Sequence, residues 1–334
     1  MPDVGGGVFP KMTLVAAVDI GGTKCAVSLA VVEKDSVVFV DKISFPTPSG
    51  PEMAIGEICA SLDTMLLRYP DRTPEAIGIS CGGPLNSQAG IILSPPNLPG
   101  WDQIDVVSPL RERYGVPVGL QNDANACALA EWRFGAGKGC RHMVFLTFGT
   151  GMGAGLILNG QLYIGVNDMA GEVGHVRLEA DGPWGYGKAG SFEGFCSGGG
   201  IAKLARTMSL QAIQEGKPPS YCQTMDDLSS LTAETVGKAA EAGDSMAIQV
   251  YETVGRRLGQ GLAMLIDVLN PEKIVIGSIY GRQHKLLEPL VMETLREEAL
   301  TFSLDVCEIV PAGLGEQVGD YAGVSVAMEM LSNS

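Results

Sequence analysis

The chain has 334 residues, 46% of them hydrophobic and 18% charged, with a formal charge of −15. That length allows two domains of ordinary size, and the composition supports sizeable cores and excludes disorder. The acidity argues against general nucleic-acid binding, and no apolar run reaches the length of a membrane span.

Residues 1–11, MPDVGGGVFPK, lack the charged-then-apolar order of a signal peptide and read as a loose lead-in, so a cytoplasmic location is expected. Residues 14–19, 24–32 and 37–45 read as a three-stranded meander rich in Val and Ile. Pro51 opens a helix with Ala54, Ile58, Leu62 and Leu66 one turn apart. A buried strand at 76–80 runs into Gly82-Gly83-Pro84, a helix at 107–114 stops at Gly115, and 116–120 is another strand. A helix follows Asn122-Asp123 and carries Ala126, Leu129, Ala130 and Trp132.

The second half begins with a strand at 143–148, a glycine-rich turn and a further strand ending at Asn159-Gly160, a hairpin signal. Residues 165–200 are poor in regular pattern. A long helix is expected at 245–270, then a strand at 274–276, a helix at 286–300, a strand at 306–310 and a last helix at 320–330. Strands and helices so mixed predict an α/β, doubly lobed architecture. The lobes are expected at 1–121 and 122–319, leaving open a return of the last helix, 320–334, to the first. The eight cysteines are scattered singly with no CxxC pair, which predicts free thiols.

Two apolar runs reach a glycine turn carrying a threonine, at Gly21-Gly22-Thr23 and at Gly149-Thr150-Gly151. Both continue into a strand, so neither is a dinucleotide fingerprint or a Walker loop, each of which needs a helix there. Glycine permits positive-φ turns that aim N–H groups at an anion, so the pair predicts nucleotide phosphates lying between two related lobes. Asp19 precedes the first turn; a carboxylate beside phosphates implies an intervening cation, so Asp19 is expected to hold Mg²⁺. Asn122-Asp123, between strand end and helix start, reads both as a helix cap and as a carboxylate at the ligand-binding end of a sheet. Glu172, His175 and Glu193 offer bonds to a polyhydroxylated substrate, and Asn97 sits on a Pro- and Gly-stiffened loop over Trp101. A zinc role for His175 is rejected, since the nearby sequence adds only Cys196.

With these residues assembled, DIGGTK (19–24), NLPGW (97–101), NDAN (122–125), FGTGMGAG (148–155), AGEVGH (170–175) and FEGFCSGGG (192–200) resemble the ROK family, in order and spacing along nearly the whole chain. The resemblance implies an actin-like ATPase (ribonuclease H-like) fold of two lobes with a central cleft, phosphorylation of sugars by Mg-ATP, and a homodimer. Carried over by motif, Asp123 looks like the catalytic base and Asn97, Asn122, Glu172, His175 and Glu193 like sugar ligands. Asp19, Gly21, Gly22, Thr23 and Lys24, with Gly149, Thr150 and Gly151, look like the ATP-phosphate loops; Gly277 and Gly315 match the adenosine end loosely. Family members carry a Cys-x-Cys-Gly-x-x-Gly-Cys-x-Glu zinc motif after the histidine. Here Trp184, Tyr186 and Ser191 replace its thiolates, so zinc is not expected and aromatic packing of Trp184 and Tyr186 is expected to hold the loop.

The expectation is transfer of the ATP γ-phosphate to a hexose hydroxyl, best the 6-OH of glucose. Other sugars remain open: N-acetylmannosamine, N-acetylglucosamine, fructose, mannose, allose or a β-glucoside. A sugar-responsive regulator is the rival from another class; only about a dozen residues precede the first strand, too few for a DNA-binding helix-turn-helix. Partners are therefore expected to be sugar and ATP, with neither nucleic acid nor membrane.

Overall fold

The computed structural model describes residues 12–34 and 36–332; the expected lead-in, 1–11, lies outside the described residues. The chain forms two compact units. One takes the residues up to Phe134, Gly165–Asp168 and those from Gln317 onward; the other takes Gly135–Ile164 and Met169–Glu316.

In the first unit β1 (Thr13–Ile20), β2 (Lys24–Glu33) and β3 (Ser36–Pro46) form an antiparallel meander, followed by α1 (Pro51–Arg68). β4 (Ala76–Cys81) pairs with β1 in parallel. Three short strands, β5 (Leu85–Asn86), β6 (Ile91–Ile92) and β7 (Ile104–Asp105), make a small separate sheet. α2 (Ser108–Tyr114) ends at Gly115, whose φ of 67° suits a left-handed cap. β8 (Val118–Asn122) then joins β4 in parallel, and α3 (Asp123–Phe134) starts at once. The sheet order is β3-β2-β1-β4-β8.

Both faces of this sheet are covered, which is why β1 and β4 read as unbroken apolar runs. Leu14, Ala16, Val18 and Ile20 pack with Ala54, Ile58, Leu62 and Met65 of α1. Val15, Ala17 and Ala76 pack with Val324 and Ala327 of the C-terminal helix, Val318–Ser332. Glycine lets that helix lie directly on the sheet: a β-carbon on Gly78 would fall 2.0 Å from the Gly323 carbonyl oxygen. α3 also stays with this unit, so the chain first leaves it after Phe134 rather than at residue 121.

The second unit repeats the plan. β9 (Met143–Phe148), β10 (Met152–Leu158) and β11 (Gln161–Tyr163) form an antiparallel meander. The segment expected to lack pattern holds a hairpin, β12 (Trp184–Gly185) with β13 (Lys188–Ala189), and the one-turn helix α4 (Phe192–Phe195). Next come α5 (Gly198–Gln214), α6 (Ala233–Glu241) and α7 (Ser245–Leu269). β14 (Lys273–Ile276) pairs with β9 in parallel, then α8 (Ile279–Arg282), α9 (His284–Glu298) and β15 (Glu308–Pro311), parallel to β14. The order β11-β10-β9-β14-β15 reproduces the first sheet strand for strand. α5 and α6 are additions to the sequence reading; α6 carries a Thr232/Thr235 capping box and α5 a Ser197 cap. α7 is capped by Asp244, which accepts from the Met246 and Ala247 amides at 3.0 Å each.

Candidate active site

The first unit gathers its polar groups at the carboxyl ends of its parallel strands, where open α/β sheets bind ligands. In register, Ile20 of β1 lies opposite Cys81 of β4, and Cys81 opposite Asn122 of β8. Asp19 and Asp123 therefore sit at one end of one sheet, two strands or about 10 Å apart in backbone. They feel each other: the Asp19 carboxyl is pushed up from 3.8 to about 6, by burial first and by the Asp123 charge second. Lys24 and Lys42 pull it back only in part. A cation beside Asp19 would relieve both causes, which fits a carboxylate that holds Mg²⁺.

Asn122 and Asp123 perform the capping duty as well. Both side-chain Oδ1 atoms accept the Ala124 N–H, at 2.9 and 2.8 Å, and Asp123 stays exposed at the strand end. Asn97 is also exposed, on a loop whose Trp101 is fully buried beneath it. That loop closes on the first glycine turn: a β-carbon on Gly22 would fall 2.5 Å from the Asn97 carbonyl oxygen, and one on Gly82 3.5 Å from its amide. Thr47 Oγ1 donates to the Gly21 carbonyl at 2.6 Å, and the Thr47 amide donates to Thr23 at 3.1 Å, fixing the turn from outside.

Positive φ is not what the loop glycines supply. Among the described residues with φ above zero, Gly21, Gly22, Gly149 and Gly151 do not occur. Gly21, Gly22 and Gly151 instead mark approaches too close for a side chain, as at Gly21, where a β-carbon would sit 2.7 Å from the Lys24 carbonyl oxygen; Gly149 has ordinary room, 3.6 Å from Ser278 Oγ.

In the second unit the β9–β10 turn, Gly149 to Gly151, lies against the start of α5. The Gly198 amide donates to the Gly149 carbonyl at 2.7 Å. Gly149, Thr150, Gly198 and Gly199 together form one wall of a cavity of about 970 Å³. Ser197 accepts the Gly200 amide and so caps the start of this 17-residue helix, whose first residues line the cavity. The helix start is the part of the site that residue-by-residue reasoning missed; Ser197-Gly198-Gly199-Gly200, a cap followed by bare backbone, was its signal. Arg206, Lys238 and Arg282 line the cavity together with Glu234 and Glu241, Lys238 paired with Glu234 and Arg282 with Glu316, and Tyr251, Ile279 and Gln283 add flat or apolar surface. Gly277 ends β14, its amide on Leu146, and Ser278 rather than Gly277 reaches the cavity. Gly315 lines a smaller adjoining space of about 300 Å³ that shares Ser278 and Arg282.

Glu193 and the Val173–His175 turn, which carries His175 and follows Glu172, lie against the start of β10 beside the β9–β10 turn. Glu193 Oε2 accepts the Met152 N–H at 3.1 Å and would meet a β-carbon on Gly151 at 2.9 Å. Gly174 presses the Val173–His175 turn onto β10, its position 2.3 Å short of the Met152 carbonyl oxygen for any β-carbon. Glu172 is exposed at the start of that turn.

The loop that presents Glu193 is not held by aromatic burial. Trp184 and Tyr186 are 60% and 64% exposed. Hydrogen bonds hold it instead: Lys203 Nζ to the Trp184 carbonyl at 2.7 Å, Lys188 Nζ to the His175 carbonyl at 2.6 Å, and Ser191 Oγ accepting the Gly194 amide at 3.0 Å. Among the described residues no group of three or more His, Cys, Asp or Glu side chains could hold a metal ion. All eight cysteines are free thiols. No described helix is long and apolar enough to cross a membrane.

The ROK family model matches residues 15–328. A glucokinase of Halalkalibacterium halodurans is 34% identical over 312 residues, 92% of each chain. A glucokinase of Streptomyces coelicolor is 30% identical, over 95% of this chain and 98% of its own. The crystal structure of a ROK family glucokinase from Streptomyces griseus in complex with glucose and AMPPNP is 27% identical, with a TM-score of 0.74 over 95% of this chain and 99% of its own.

Proposed function

The chain belongs to the ROK family, and from that premise we propose that it is an ATP-dependent glucose kinase, transferring the γ-phosphate to the 6-hydroxyl. The meeting of Asp19, Asn122 and Asp123 at one sheet end supports this reading most. Asp123 accepts the proton of the attacking hydroxyl, and Asn122 and Asn97 orient the sugar. Glu172, His175 and Glu193 accept or donate bonds to the remaining hydroxyls. The glycine turns, with Lys24 and the start of α5, bind phosphate through backbone N–H groups and positive charge. Asp19 would hold the Mg²⁺ that accompanies ATP, which would supply charge neutralisation at the phosphates. Phosphoryl transfer has a loose transition state, so positioning and charge neutralisation carry most of the acceleration.

The reading extends to a homodimer acting in the cytoplasm. The test is incubation with Mg-ATP and a panel of hexoses and N-acetylhexosamines, with products identified by phosphorus NMR. Glucose 6-phosphate formed with the highest kcat/KM of the panel is the expected result. A preferred N-acetylated or other sugar would move the specificity, and no phosphate ester from any sugar would end the proposal.

A further inference from the structure

The β12–β13 hairpin touches His175 twice. The tip residue Tyr186 places its ring against the imidazole, centroids 4.7 Å apart and planes at 76°, an edge-to-face contact. Lys188, on the returning strand, donates to the His175 carbonyl at 2.6 Å. Ring and backbone of one residue are thus gripped by one hairpin. The base of that hairpin is fixed elsewhere: Lys203 holds the Trp184 carbonyl, and Gly185 packs so tightly that a β-carbon would lie 2.5 Å from the Gly194 nitrogen.

Two features say that the ring serves His175 rather than the fold. At 64% exposure Tyr186 contributes little burial. Its φ of 46°, followed by 77° at Gly187, is the pair of left-handed residues of a two-residue hairpin loop, where Asn-Gly is favoured and a large side chain is disfavoured. A tyrosine stands where asparagine would suit the turn better.

The same positions answer the zinc motif that the family resemblance suggests. Indole offers no metal-binding lone pair at Trp184, and Ser191 Oγ is engaged with the Gly194 amide and the Gly185 carbonyl. Cys196, close in sequence, donates to the Val254 carbonyl at 3.7 Å in the core. These residues do not make a zinc site.

We infer that the Tyr186–Lys188 hairpin is a metal-free positioning device for His175, holding the imidazole in the orientation that meets the sugar. Tyr186 is a positioning residue here, and the inference rests on the kinase reading for the role of His175. Tyr186→Asn separates the two duties of the position, since it suits the turn and removes the ring. The variant should melt at or above the wild-type temperature while its glucose KM, and its glucose dissociation constant without ATP, rise about three- to tenfold. KM for ATP should not change, and Tyr186→Phe should restore glucose binding to within twofold.

The chain has three histidines, so the imidazole signals can be assigned by substitution and followed by NMR. The His175 signal should shift in Tyr186→Asn and stay in place in Tyr186→Phe. Unchanged glucose binding and an unmoved His175 signal in Tyr186→Asn would overturn the inference, as would one equivalent of zinc in the purified protein. A wild type that neither binds nor phosphorylates sugar sinks the kinase reading instead. In that event the imidazole signal alone decides whether Tyr186 holds His175.

Discussion

Replacing Asp19 by asparagine should make the protein more stable and less active at once. The Asp19 carboxyl stands at about 6 in the folded chain against an ordinary 3.8, because burial and the Asp123 charge both oppose its ionisation. Between those two pH values the folded state keeps a proton that the unfolded chain has released. Stability therefore falls as pH rises through this window and levels off above it. A rise of that size corresponds to about 3 kcal/mol at 1.36 kcal/mol per pH unit. Asparagine carries no such cost. Urea unfolding of the two proteins without nucleotide, at intervals from pH 4 to pH 8, reads the difference. The variant should match wild type at the acid end and gain up to about 3 kcal/mol above pH 6, while sugar phosphorylation at pH 7.5 collapses. A stability difference that is constant with pH would refute the electrostatic argument.

Two other substitutions follow from close contacts. Gly78→Ala drives a β-carbon to 2.0 Å from the Gly323 backbone and must push the C-terminal helix off the sheet, so a loss of about 1–3 kcal/mol or more is expected by urea unfolding. Glu193→Ala leaves the Met152 N–H without its acceptor and frees the β9–β10 turn beside it. KM for glucose and for ATP should both rise, by about ten- to a hundredfold, as for the loss of a hydrogen bond to a charged group, in steady-state assays varying each substrate.

Much of the architecture was legible because it is written in period and punctuation. The meander, α1 with Pro51 in its first turn and α7 behind its Asp244 cap follow from local patterns. The return of the C-terminal helix to the first sheet could only be left open, since it depends on Gly78 and Gly323 meeting across more than two hundred residues. α5 escaped because it opens on three glycines, poor helix formers whose place is decided by the Ser197 cap and by the β9–β10 turn it leans on. The loop around Trp184 was misjudged for a similar reason. Aromatic residues suggest burial, yet lysines 188 and 203 reach backbone carbonyls that no sequence pattern announces. The glycine turns stand where the pattern puts them, but Gly21, Gly22 and Gly151 answer to crowding by Lys24, Asn97 and Glu193 rather than to backbone sign.

The chemistry assigned to Asp123 is tested most directly by Asp123→Asn, comparing glucose affinity by calorimetry with glucose-dependent ADP release. The side chain keeps its capping oxygen for the Ala124 amide, so the fold and the sugar dissociation constant should hold within a few-fold. Turnover should fall by about 100-fold or more, the usual contribution of a general base. Wild-type turnover in that variant would contradict the account.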